Sequence, residues 1–123
     1  MTINVEIKDA ASVILIRNKK SNPSVLMGQR GKDAAFMPNK FGFPGGAVEK
    51  EDFQINSFKR LNATCNARMT YQCSGDLVLA LTIAAIRELF EETGIIVGIK
   101  EKWAGKIPTE WKQFADLGFV PDA

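Results

Sequence analysis

Apolar and polar positions fall in blocks along the chain, each about as long as one element. Ala11 to Arg17 (ASVILIR) is short and rich in β-branched side chains, which predicts a largely buried strand. The polar run NKKSNP, closed by Pro23, predicts a turn, and Ser24 to Arg30 (SVLMGQR) a second strand paired with the first. Residues 31–40 read as a loop whose Phe36 and Met37 tuck against the body of the protein. In Phe41 to Val48 (FGFPGGAV) aromatic residues alternate with glycine, and then the chain turns sharply. Pro44 removes a backbone donor there, and Gly45–Gly46 open backbone angles closed to other residues. Phe41 and Phe43 are expected in the core.

Residues 49–76 are polar and weakly patterned, so they read as a surface excursion with a short helix over 55–63 (INSFKRLNA). Asp76, after Ser74 and Gly75, is the expected N-cap of a helix from Leu77 to Thr93. Gly94 supplies its left-handed stop. Ile95 to Ile99 reads as a further strand and Thr109 to Gly118 as a short amphipathic helix. Strands and helices interleave without a regular βαβ rhythm. A single α/β domain of the α+β kind, a mixed sandwich over residues 1–123, is therefore expected.

Composition narrows the chemistry. A net charge of +2 is too small to argue for a nucleic acid or an anionic membrane surface as partner. Cys65 and Cys73 cannot build a disulfide scaffold, and with no histidine the usual zinc ligand and general base are absent. The start, MTINVEIKDA, carries charges where a signal peptide needs an apolar run. The longest apolar stretch, Leu77 to Ile86, is about half of a membrane span. These features predict reduced thiols and a cytoplasmic protein with neither nucleic-acid nor membrane partners.

The end of the long helix is electrostatically odd. Glu88, Glu91 and Glu92 crowd its last turns, at the negative end of the helix dipole, where each costs ~0.3–1 kcal/mol. On a helical wheel the three share one sector of about 100°, opposite Leu79, Ile83, Ile86 and Phe90. That sector continues through Leu81, Ala84 and Ala85, so it is not uniformly wet, and the small alanines leave room for a loop. An ordinary solvated acidic face, partly neutralised by Arg87, is one reading. The other is a carboxylate cluster for a hard divalent cation, Mg²⁺ or Mn²⁺, which prefers oxygen ligands.

The same residues carry a resemblance. RELFEETGI fills every fixed position of R-E-U-x-E-E-x-G-U (U, bulky aliphatic), the second half of the Nudix box, with Arg87, Glu88, Leu89, Glu91, Glu92, Gly94 and Ile95. The first half, G-x5-E, is matched by Gly46 and, conservatively, by Asp52. The chain thus resembles the Nudix hydrolases. It departs from their pattern in spacing, since 34 residues (Phe53 to Ile86) separate the halves, 27 more than the usual seven. This split box, preceded by FMPNKFGFPGG, resembles the branch containing the peroxisomal coenzyme A diphosphatases of animals.

The resemblance implies a Nudix-type α/β/α sandwich with a mixed sheet, an insert at about 53–76, and a C-terminally incomplete chain whose exposed edges favour a homodimer. It implies water attack on a small-molecule diphosphate, nucleoside-linked or of the coenzyme A type, with Mg²⁺ or Mn²⁺. Glu88, Glu91 and Glu92 would be the metal carboxylates and Gly46 a backbone carbonyl ligand. Glu91, Glu92 and Arg87 form the expected catalytic set. Glu92, or an acid outside the box, would serve as base, and Arg87 would orient a box carboxylate. Asp52 would bond the loop closed or do nothing. Arg30 could meet a phosphate or lie exposed, and Trp103 and Trp111 are expected as core ahead of base stacking. A non-hydrolytic Nudix-fold binding or regulatory module is the alternative, weakened by the intact box acids.

Overall fold

The computed structural model describes residues 7–29, 31–33, 38–55 and 61–123. Its strands are short and pair in antiparallel ladders. β1 (Ala10–Ser12) pairs with β6 (Gly45–Ala47), β2 (Ile16–Arg17) with β3 (Ser24–Val25), and β4 (Gly28–Gln29) with β5 (Phe41–Gly42). α1 (Ala63–Thr70) precedes the long α2 (Gly75–Thr93). β7 (Gly98–Lys100) pairs with β8 (Phe119–Pro121) across a 3-10 turn (Thr109–Trp111) that runs into α3 (Lys112–Asp116). Together these make an α/β fold in which α2 lies against β1 and β6. Among the described residues no helix is long and apolar enough to cross a membrane.

The two strands expected at 11–17 and 24–30 are each divided, although Leu26 N–H still donates to the Leu15 carbonyl across the gap (3.0 Å). The first is not largely buried. Ala11, Val13 and Leu15 are half-buried, whereas Ile14 is 60% and Ile16 49% exposed. Only one face of the strand is covered, so period-2 alternation overrides its continuous apolar lettering. Phe41 and Phe43, expected in the core, lie exposed on the same kind of outer face, Phe41 at 67%. Arg30, Phe36 and Met37 lie outside the described residues.

α2 begins two residues before its expected start. Ser74, not Asp76, is its N-cap, the Ser74 hydroxyl accepting from Leu77 N–H (3.2 Å), and Asp76 sits in the first turn. Both residues suit a helix N-terminus, and the hydroxyl three residues before Leu77 has the right reach. Gly94 ends the helix at φ +77°, its N–H bonded to the Phe90 carbonyl (2.8 Å). The middle of α2 is buried nearly all round, through Val78, Ala80, Ile83, Ala84, Ile86, Arg87 and Leu89. Ile83 and Ile86 join Ile55, Trp111 and Phe114 in the core, where Phe114 packs edge-on to both Phe90 and Trp111 at centroid distances of 5.2 and 5.0 Å. Trp111 is thus core, while Trp103 is half-buried with its Nε1–H donating to the Phe119 carbonyl (2.8 Å). In β8, paired with β7, Val120 and Pro121 are buried.

The excursion between the box halves is tied down at both ends. α1 has no buried residue, and its N-cap Asn62 accepts from Cys65 N–H (2.9 Å). The short helix expected over 55–63 falls mostly on residues 56–60, outside the described residues, and the observed helix starts at Ala63. Ile55 is a correction to the surface reading, since it is only 4% exposed and belongs to the core. Just before it, a 3-10 turn (Lys50–Gln54) carries Asp52, which is 1% exposed. Arg87, 3% exposed on α2, grips it with both branches of its fork, Nε donating to Oδ1 and Nη2 to Oδ2, each at 3.0 Å. The Glu49 N–H also donates to Asp52 Oδ2 (2.8 Å). The pair clamps the turn onto the helix across 35 residues of sequence.

Removing one member of a buried pair strands the other's charge, which typically costs ~3–5 kcal/mol. Asp52→Ala is expected to destabilise the protein on that scale in urea denaturation, and Asp52→Asn, which keeps the shape, by less. Ile55→Ala should cost ~2–5 kcal/mol as a core truncation. Replacing residues 62–71 by a Gly-Ser linker of equal length should cost less than half as much, because α1 buries nothing.

Candidate active site

Three acidic side chains meet one arginine at the end of α2. Besides Asp52, Arg87 donates from Nη1 to Glu88 Oε1 (2.9 Å) and, at the limit of bonding, to Glu91 Oε2 (3.5 Å). Its Nη2 also reaches the Ala47 carbonyl on β6 (3.1 Å). Burial opposes the Arg87 charge, but the hydrogen bond and charge of Asp52, followed by those of Glu88, outweigh it and hold the guanidinium above its ordinary pKa. Arg87 thus touches the box carboxylates Glu88 and Glu91, and Asp52 joins its turn to α2.

Glu88 is held between helix and turn. A Cβ on Gly46 would collide with the Glu88 carboxyl group, so the glycine makes a notch into which that carboxyl fits. Gly45 is equally constrained, since a Cβ there would strike the Ala11 carbonyl of β1. Glu91 is more open, with 42% of its side chain exposed. Partial burial raises its carboxyl pKa above the ordinary range; Arg87 opposes that rise, and the charges of Glu88 and Glu49 add to it. Glu49 was given no role in the sequence, because it lies outside the box pattern. Its one signal was its place three residues before Asp52.

Glu92 stands beside a cleft. It is exposed and lines a cleft of about 440 Å³ between the end of α2 and the strands β4 and β5, together with Thr93, Gln29 and Phe43. Glu88 and Glu91 therefore lean on Arg87 while Glu92 faces the cleft. Among the described residues, no three histidine, cysteine, aspartate or glutamate side chains stand close enough to hold an ion as they are. The donor set still fits a hard divalent cation, being all carboxylate and carbonyl oxygen around the Gly46 notch. Arg87 draws two of the three carboxylates toward itself.

Comparison with known proteins bears on the same residues. No family model matches the chain. A Caenorhabditis elegans protein named "Putative nudix hydrolase 7" is 38% identical over 96 residues, which span 78% of this chain and 24% of that one. The "Acyl-coenzyme A diphosphatase NUDT19" of Xenopus laevis is 34% identical over 108 residues, spanning 71% of this chain and 28% of the frog protein. The chain thus spans about a quarter of the length of the curated relatives it matches. The crystal structure of a Nudix hydrolase from Alicyclobacillus acidocaldarius superposes with a TM-score of 0.69 at 24% identity, over 95% of this chain and 57% of the bacterial one. That likeness carries the fold, and the two curated relatives carry the kinship. With its box residues gathered at the end of α2, the chain belongs to the Nudix superfamily.

Proposed function

We propose that the protein is a divalent-metal-dependent hydrolase that cleaves a diphosphate linkage in a small molecule, nucleoside-linked or of the coenzyme A type. The observation that carries this reading is the intact acidic run on α2, packed against the Gly46 notch and braced by Arg87. The frog relative, named as an acyl-coenzyme A diphosphatase, supports the coenzyme A side of the substrate class.

In this reading Glu88, Glu91 and Glu92, with the Gly46 carbonyl, hold Mg²⁺ or Mn²⁺. When bound, the ion neutralises diphosphate charge and makes an attacking water more acidic. Glu92, at the cleft, accepts the proton of that water as it attacks phosphorus, and the other phosphate leaves with its substituent. Arg87 touches no substrate; it holds Glu88 and Glu91 in place. The chain is read as one domain with an insert at about 53–76. The free thiols of Cys65 and Cys73 suit a reducing, cytoplasmic setting. Exposed Ile14, Ile16, Val25 and Phe41 support self-association as a homodimer.

Mn²⁺ or Mg²⁺ is expected to raise the thermal midpoint, since a ligand that binds only the folded state stabilises it. Glu91→Gln combined with Glu92→Gln should abolish that shift. A response surviving the double substitution would sink the site. In hydrolysis assays with Mg²⁺ on coenzyme A, ADP-ribose and UDP-glucose, Glu92→Gln should lose ~10²–10⁴-fold in rate. Glu110→Gln, exposed on the far 3-10 turn, should behave as wild type.

A further inference from the structure

The wall of the cleft beside Glu92 is unusual in composition. β4 and β5 pair with Gly28 directly opposite Gly42. Two glycines facing each other across a ladder weaken it, since neither restricts the unfolded chain nor supplies a side chain to pack. A left-handed backbone or a close neighbour would explain them. Neither explanation holds. Both residues lie outside the set of positive-φ glycines, and among the described residues a Cβ on either would meet no atom within 4 Å. Gly45 and Gly46, only a few residues on, differ in being demanded by contact.

Strand alternation tells which way the missing side chains would point. Gly28 and Gly42 share a face with Leu26 and Pro44, of which Pro44 is buried and Leu26 half-buried. The opposite face carries Met27, Phe41 and Phe43, all exposed. Gly28 is nonetheless exposed and Gly42 half-buried, and the cleft takes its lining from both faces, Met27, Gln29 and Phe43 included; at the two glycines it meets bare backbone. Glu92 is the one charged side chain among the described lining residues.

We infer that Gly28 and Gly42 are specificity-determining residues that keep this cleft open for the group esterified to the diphosphate. That group, a sugar or a slim chain, lies against the bare backbone of the β4–β5 pair, with Glu92 at its phosphate end. The inference rests on the hydrolase reading above.

Thermal midpoints and steady-state kinetics on coenzyme A, ADP-ribose and UDP-glucose with Mg²⁺ separate this role from a structural one. Gly28→Ala and Gly42→Ala should keep or raise the midpoint, since alanine stiffens the unfolded chain and meets open space. Gly42→Val should raise KM for whichever compound is cleaved by about tenfold or more, as a side chain intruding into a fitted pocket does, with kcat little changed. Unchanged KM in all three variants overturns the inference and leaves the hydrolase reading standing. A lowered midpoint with kcat falling alongside KM shows a structural role and overturns it too. A wild type that cleaves none of the three compounds overturns the hydrolase reading, and this inference with it.

Discussion

A guanidinium buried to 3% exposure must be answered by negative charge, and much of the molecule is arranged around that demand. Asp52 supplies the answer with two parallel hydrogen bonds, the strongest geometry open to an arginine. Because the two residues stand 35 apart, meeting the charge also fixes the path of the chain between them. The turn bearing Asp52 is held on α2, Ala47 is drawn in through its carbonyl, and β6 comes to rest where Gly46 receives Glu88. The remaining Nη1–H bonds then set two of the three acidic side chains. One buried charge thus organises fold and site together.

The excursion between the box halves is tolerable for the same reason. Closing a longer loop costs entropy only logarithmically, and the closure is secured at one end by the Asp52–Arg87 pair and at the other by Ser74 capping α2. Between them, Ile55 contributes to the core and α1 rests on α2 with little burial. A motif defined by consecutive letters is broken here, while the same motif defined by contact is whole. That difference agrees with a chain to which no family model matches, although individual relatives do.

What could be read from the letters followed how local each signal is. The α2 helix, its Gly94 stop and the acidic cluster were legible because capping chemistry and 3.6-residue periodicity act within a few residues. The exposure of Phe41 and Phe43 was not, because an apolar residue on a strand says nothing about which face meets a partner. Ile55 was lost in a polar stretch, being one inward residue without a periodic neighbour. The division of labour among the glutamates also escaped the helical wheel, which puts all three in one sector. The structure adds that Arg87 bonds Glu88 and Glu91 and that Glu92 lines the cleft.

The replacement of the box glutamate by Asp52 has a mechanical side. An aspartate is one methylene shorter, so to keep both bonds to Arg87 the 3-10 turn must approach α2 more closely than a glutamate would require. Ile55 follows three residues later and reaches the core from that nearer position. Chain length at residue 52 and burial at residue 55 are therefore coupled, as a tether is to the weight it carries.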